Sequence, residues 1–335
     1  MPITTTEPEK ANGASVAPVG ASPASKRMPT MVIVAFGLVY VVWGSTYLAM
    51  RIGVESFPPL MLAGARHLIA GLILYPLMRR HSSERPTAQQ WRTAFITGVL
   101  LLVANGAVCV AEKTVPSGVT ALLVATVSLW LVLLDWIRPG GSRPAARVIF
   151  GLILGFAGMA LLVGPAHLGG SERIDPIGAA ILVIASLAWA GGSLYSKHGT
   201  LPKSPLLGVS MQALCGGVVL WLLALFTGEI RAFHFAAITT RSWLALGYLI
   251  VFGSMIGFSS YIYILKNSTA ARVSTYAFVN PVVALFLGWL IASEQITMRT
   301  IAASVVILTA VLLVITAPHK EARQTESSLA EPEKA

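Results

Sequence analysis

Ten apolar runs, each separated from the next by a short polar stretch, fill most of the chain between residues 31 and 317. They fall near 31–50, 59–78, 93–111, 117–137 and 145–164, then near 177–196, 205–226, 242–264, 271–291 and 299–317. An α-helix rises about 1.5 Å per residue, so roughly 20 residues are needed to cross the hydrocarbon of a bilayer. Each run therefore predicts one spanning helix. Strands of a membrane barrel would be about half as long and would alternate polar with apolar residues, and these runs do not alternate. Gly and Pro interrupt several runs, which a membrane bundle accommodates through close packing and local breaks. The predicted fold class is an all-α membrane protein with ten transmembrane helices.

The two ends have a different pattern. Residues 1–28 are rich in Ala, Pro, Thr, Ser and Glu without an apolar core, and the tail HKEARQTESSLAEPEKA after Pro318 is polar; both read as disordered cytoplasmic tails, 1–28 and 318–335. Lys26 and Arg27 precede a full-length span rather than the short apolar region of a signal peptide. Between the tails, the fourth and ninth spans align with an offset of 153 residues: Lys113-Thr-Val-Pro-Ser-Gly-Val-Thr-Ala-Leu lies over Lys266-Asn-Ser-Thr-Ala-Ala-Arg-Val-Ser-Thr, and Ser128 over Pro281. Trp43-Gly44-Ser45-Thr46-Tyr47 in the first span also resembles Trp189-Ala190-Gly191-Gly192-Ser193-Leu194-Tyr195 in the sixth. These matches divide the chain into five-helix repeats at 29–166 and 167–317. Five is odd, so the second copy crosses in the opposite sense, an inverted arrangement suited to alternating access around a midplane site.

Composition changes the picture only by confirming the solvent. The chain is 55% hydrophobic and 11% charged, against about 25% charged residues in an ordinary soluble domain. Its net charge of +10 is scattered between apolar runs rather than concentrated in a stripe, so no nucleic-acid partner is expected. Lipids are the expected partners of these basic loops. With the amino terminus inside, 17 of the 24 Lys and Arg fall on the inner side and 6 on the outer, leaving Arg66 within a span; the asymmetry predicts that both termini are cytoplasmic. Cys109 and Cys215 lie far apart in apolar runs, with no CxxC or His/Cys cluster, and predict buried thiols rather than a disulfide or a metal site.

The stretch Tyr263-Ile-Leu-Lys-Asn-Ser-Thr-Ala-Ala-Arg-Val-Ser-Thr-Tyr-Ala-Phe-Val-Asn-Pro-Val-Val-Ala-Leu-Phe-Leu-Gly-Trp-Leu-Ile-Ala-Ser-Glu-Gln-Ile-Thr297, together with Val39-Tyr-Val-Val-Trp43-Gly44-Ser45 and Ala65-Arg66-His67, resembles the EamA-type drug/metabolite transporter superfamily, particularly its bacterial amino-acid and metabolite exporters. The resemblance covers residues 31–317. It implies ten-helix carriers of inverted halves in a bacterial inner membrane, with a cavity formed mainly by helices one to four and six to nine, and helices five and ten peripheral. The first half departs from the repeat signature, with Ser128 over Pro281 and no acid over Glu294.

Several residues within the spans need a partner. Arg66 lies about seven residues inside the second span, where an unpaired charge is expensive; it is a counter-charge for a substrate carboxylate, a structural hydrogen-bond hub, or a snorkelling cation. His67 is a proton-sensitive gate or a satisfied core histidine. Trp43, Trp189, Tyr195, Tyr263 and Tyr276 wall a cavity or sit in the membrane interface. Asn105, Gln212 and Asn280 are amides deep in apolar runs that must find a helix, water or ligand partner. Pro281 and Gly44 are candidate gating breaks. Glu294 and Asp135, near span ends, are expected to answer nearby basic residues.

Arg66 for a carboxylate, amides for polar groups and aromatic walls together predict a small zwitterionic organic substrate. The reading is a secondary transporter, most simply an exporter of amino acids including aromatic ones; alternatives are export of drugs or other metabolites and, more remotely, a membrane enzyme or a sensor or scaffold. No Ser–His–acid constellation, GxSxG elbow, HExxH, P-loop or Rossmann fingerprint occurs in its required context, so neither enzyme activity nor a cofactor is expected. A monomer suffices for the proposed pathway.

Overall fold

A computed structural model of the chain describes residues 29–140, 143–163, 174–268 and 275–316. The two predicted tails, Arg173, Arg272 and most of the stretch aligned with the start of the fourth span lie outside the described residues.

Among the described residues ten long helices follow one another: α1 (Thr30–Gly53), α2 (Pro59–Arg80), α3 (Ala88–Ala111), α4 (Ser117–Ile137), α5 (Ala146–Val163), α6 (Pro176–His198), α7 (Pro205–Phe226), α8 (Thr240–Tyr248, continued by Leu249–Ile256 and Gly257–Asn267), α9 (Tyr276–Ala292) and α10 (Met298–Ile315). Eight are long and apolar enough to cross a bilayer, and α5 and α9 are shorter apolar helices. α3 starts five residues before its predicted apolar run. Thr87 and Gln90 form a reciprocal capping box there, so a polar first turn precedes the hydrophobic stretch.

The two halves pack as inverted repeats. α2 lies against α7, α5 against α10 and α4 against α9, each helix meeting its counterpart, while α6 packs on α3 and α4 just as α1 packs on α8 and α9. The central α2–α7 contact depends on two glycines: a Cβ at Gly71 would lie 2.9 Å from the Leu214 amide nitrogen, and one at Gly217 2.8 Å from that of Leu68. Backbones this close leave no space for a side chain.

Regular winding is interrupted at matching places. π-helical segments occupy Val99–Val103 in α3 and Leu249–Ile256 in α8, corresponding helices of the two repeats, and a third occupies Val39–Trp43 in α1. α4 breaks at Thr126, near Ser128, without any proline. The Thr126 hydroxyl donates to the Leu123 carbonyl at 2.5 Å and the Ser128 hydroxyl to Ala125 at 3.1 Å, so side chains satisfy carbonyls beside the break. Its counterpart α9 carries Pro281 inside a continuous helix.

Candidate functional site

A cavity of about 540 Å³ opens between the α1–α8–α9 and α3–α4–α6 groups. Arg66 and His67 reach it from α2, Asn105 from α3, Ser128 from α4, and Asn280 and Pro281 from α9; Trp43 and Trp189 wall it from corresponding positions of α1 and α6. Val314 and Ile315 from the last turn of α10 also line it, so a helix expected to be peripheral contributes to the wall.

Arg66 is 5% exposed and makes no ion pair among the described residues. Its Nε donates to the Ser254 hydroxyl at 2.9 Å, and its Nη1 reaches Asn105 Oδ1 at 3.5 Å and Met50 Sδ at 3.6 Å. Asn105 Oδ1 also meets His67 Nε2 at 3.1 Å. One amide oxygen thus meets both Arg66 and His67, while among the described residues the positive charge of Arg66 is hydrogen-bonded only by neutral groups. Three neutral contacts leave that charge without a counter-ion, the condition in which an incoming carboxylate is attracted most strongly.

Beside Arg66 stands an aromatic cluster. The Trp43 ring centre lies 5.3 Å from that of Phe258, 5.1 Å from Tyr261 and 5.4 Å from Tyr276, and Tyr261 and Tyr276 meet edge to face at 5.8 Å. Trp43 Nε1 donates to the Gly253 carbonyl at 3.3 Å. A Cβ at Gly253 would come within 3.0 Å of Arg66 Nη2, so the π-helical segment of α8 brings the indole and the guanidinium to one glycine. Rings arranged in this way present both faces and edges to a solute.

Four candidates from the sequence stand elsewhere. Gln212 is buried where α7 meets α3, its carbonyl 2.5 Å from where a Gly98 Cβ would be. Tyr263 is 38% exposed on the outside of α8, and Tyr195 is likewise exposed. Gly44 packs α1 against α9, where a Cβ would lie 2.6 Å from Val283 Cβ and 3.2 Å from the Asn280 carbonyl; the site is a contact behind the wall rather than a lining position. Depth along a span is readable from sequence, whereas the direction a side chain faces in a uniformly apolar helix is not. For that reason Tyr47, Thr46, Met50, Phe258 and Tyr261 were not singled out.

Glu294 differs from the ion-pair expectation. Its carboxylate accepts from the Ser117 amide at 2.7 Å and the Gly118 amide at 3.2 Å, capping the N-terminus of α4. Ser293, at φ +54°, turns the chain so that Glu294 folds back over Gly288. Asp135 does pair with a basic residue, Arg138, at 2.6 Å. A second buried basic residue accompanies Arg66: Arg299 is 8% exposed and donates to the Leu161 carbonyl at 2.7 Å.

The cavity is asymmetric along the bundle. Its lining extends to Tyr276 at the start of α9 and Ile315 at the end of α10, but at the other end it stops near Arg66 and Met50. That second end is crossed by bonds between the helix groups: Glu294 to α4, and Arg51 of α1 donating to the Glu112 carbonyl of α3. There too Glu229 accepts from the Leu60 and Met61 amides at 3.0 and 3.1 Å, with burial raising its carboxyl above the usual range. Asp175, capping α6, is held below the usual range by the Thr114 hydroxyl at 2.7 Å.

The EamA-like transporter family matches the chain twice, over residues 30–164 and 176–316. The chain is 39% identical over 277 residues to the "Uncharacterized inner membrane transporter YedA" of Escherichia coli K12, covering 82% of this chain and 87% of that protein. It is 25% identical over 280 residues to a "Probable amino-acid metabolite efflux pump" of the same organism, covering 81% and 90%. A solved crystal structure resembles it with a TM-score of 0.59 at 18% identity, covering 86% of this chain and 97% of that one, a likeness of fold alone.

Proposed function

The chain belongs to the EamA-like transporter family, and from that premise we propose that it exports small zwitterionic metabolites, amino acids including aromatic ones, across a bacterial inner membrane by alternating access. A small-molecule transporter of this family needs a site reached from one side at a time. The observation that carries the substrate reading is Arg66, buried without a counter-ion at the closed end of the cavity and adjacent to the aromatic cluster. The substrate carboxylate pairs with the Arg66 guanidinium, Asn105 and Asn280 serve its polar groups, and Trp43, Tyr261 and Tyr276 enclose the apolar or cationic part. His67 holds Asn105 in place.

Both termini are cytoplasmic in this reading, from the distribution of basic residues. The end where α9 begins then faces the cytoplasm, so the cavity admits substrate from inside while the Glu294 end is shut. The relatives support the location and the substrate class: one is named an inner membrane transporter and another an amino-acid metabolite efflux pump.

The test compares binding of phenylalanine with that of its uncharged amide to purified protein in sealed vesicles. Arg66→Gln should lower affinity for the amino acid by about tenfold to a hundredfold, the worth of a charged hydrogen bond of about 1.5–3 kcal/mol, with little change for the amide. Arg66→Lys should retain part of the preference with poorer geometry. An unchanged preference in stable Arg66→Gln protein overturns carboxylate recognition, and tighter binding of the amide throughout points to export of drug-like solutes.

A further inference from the structure

Glu112 follows the last residue of α3 at the shut end of the cavity, and it has no role in the substrate site. It is 0% exposed, and neither carboxyl oxygen has a hydrogen-bond partner. In the first turn of α4 the hydroxyls of Ser117 and Thr120 are also buried without partners. Arg51, the closest candidate for a counter-ion, donates to the Glu112 main-chain carbonyl, and no ion pair joins the two side chains.

Arg51 and Arg66 favour a carboxylate at Glu112 by charge alone, with no hydrogen bond or ion pair to it among the described residues, while burial and the Glu294 carboxylate oppose it. The charged and titratable groups that act on it are Arg51 and Tyr47 of α1, Arg66 of α2, Cys109 of its own helix and Glu294 of the α9–α10 link. Glu294 is a like charge, fixed at the α4 N-terminus. An ionised carboxylate shut off from bulk solvent with no protein donor on either oxygen is costly, whereas its acid form has only one donor to place.

We infer that Glu112 is a proton-binding site, and that shutting the outer end of the transporter requires a proton on its carboxyl. When the outer end opens, water reaches Glu112 and lets it ionise with Arg51 beside it. When the end closes, the carboxyl must take a proton from the outer solution before it is buried. Each return to the closed arrangement therefore carries one proton inward from the outer side to this sealed site. This step rests on the transporter reading but not on the identity of the substrate. Because the closed form holds one more proton, the ratio of open to closed molecules should rise tenfold per pH unit between the ordinary carboxylate range and the range where the sealed acid ionises.

Two measurements test it on the full chain in lipid vesicles. Infrared spectroscopy should show the C=O stretch of a protonated carboxylic acid at neutral pH, lost in Glu112→Gln and kept, shifted in frequency, in Glu112→Asp. Spin labels at Ile177→Cys and Leu244→Cys, exposed positions at the outer ends of α6 and α8, report the opening in a chain also carrying Cys109→Ala and Cys215→Ala. The long-distance fraction should rise tenfold in ratio per pH unit in this background and become independent of pH when Glu112→Gln is added. Absence of the acid band at neutral pH, its persistence in Glu112→Gln, or an unaltered pH slope in that variant overturns the proposal. Loss of the band on adding sodium at fixed pH also overturns it, in favour of a metal cation. Failure of these tests leaves the phenylalanine and amide comparison untouched, so the two readings fall separately.

Discussion

At the scale of single residues, the site depends on small side chains behind large ones. A Cβ at Gly257 would collide with Nε1 and Cδ1 of Trp43, the ring at the centre of the aromatic cluster. Gly257→Ala should therefore displace the indole, break its bond to the Gly253 carbonyl and destabilise the protein by about 1–3 kcal/mol, the usual scale of overpacking. Gly191, on α6 beside Trp189, has open space where its Cβ would be, so Gly191→Ala is the matched control. Phenylalanine binding should fall in the first variant and hold in the second; equal binding in both would remove Trp43 from the site. These contacts also show what the sequence conceals. Arg66, His67, Asn105, Asn280 and the two tryptophans stand out because polar or amphipathic groups in apolar runs need partners, and all line the cavity. Gln212 meets the same criterion yet faces the α3–α7 contact, since a helix apolar on every side carries no signal for azimuth. Glu112 is silent in the sequence for the opposite reason: beyond the end of a run a carboxylate looks like an ordinary interface residue, and only the fold buries it.

At the scale of elements, lengths and order were legible to within a few residues because hydrocarbon thickness sets a minimum that composition must satisfy. The internal breaks were not. π-Segments in α1, α3 and α8 leave no mark in a Leu- and Val-rich stretch, and α4 breaks through hydroxyls where its counterpart has a proline. Caps are more readable, and Asp175 is one that can be tested. It accepts from the Ile177 and Gly178 amides at 3.0 and 3.1 Å and from the Thr114 hydroxyl, tying the start of α6 to the α3–α4 turn. Those bonds hold its pKa below the usual range, so its stabilising contribution is complete above the unfolded-state value and is lost as pH falls through the lower folded-state value. Thermal unfolding of Asp175→Ala should therefore lie below that of the parent at neutral pH, and the gap should close on acidification below the ordinary aspartate range. A gap that persists undiminished there would mean that the cap contributes through chain geometry rather than charge.

At the scale of the whole molecule, the inverted symmetry is broken where it matters for transport. Acidic ties to helix starts recur in the two halves: Glu84 accepts from the Lys203 amide at 2.9 Å, near the start of α7, much as Glu229 accepts at the start of α2. Glu294 ties α9 to the start of α4 at one end, but the residue over it at an offset of 153 is Gly141, so no equivalent acid is available to tie α4 to the start of α9. Among the described residues, one end of the bundle therefore has a carboxylate tie at Glu294 between the two helix groups that is not repeated by a matching acid at the other, in accord with a cavity that reaches that other end. Glu294→Gln retains one acceptor oxygen but loses its charge, weakening two charge-assisted bonds by an amount on the order of 1–2 kcal/mol. The open-to-closed ratio should rise roughly fivefold to thirtyfold, since each 1.4 kcal/mol is a factor of ten. Spin labels at positions 177 and 244, near the starts of α6 and α8, would register this as growth of the long-distance population at fixed pH. Glu229→Gln provides the contrast, because its bonds join the α7–α8 link to α2, helices that pack together at the centre, and should lower thermal stability with little change in that ratio. If both variants lose stability equally and neither shifts the distances, Glu294 is a helix cap only, and the closure of the Glu294 end must come from the apolar packing of α1, α4 and α9.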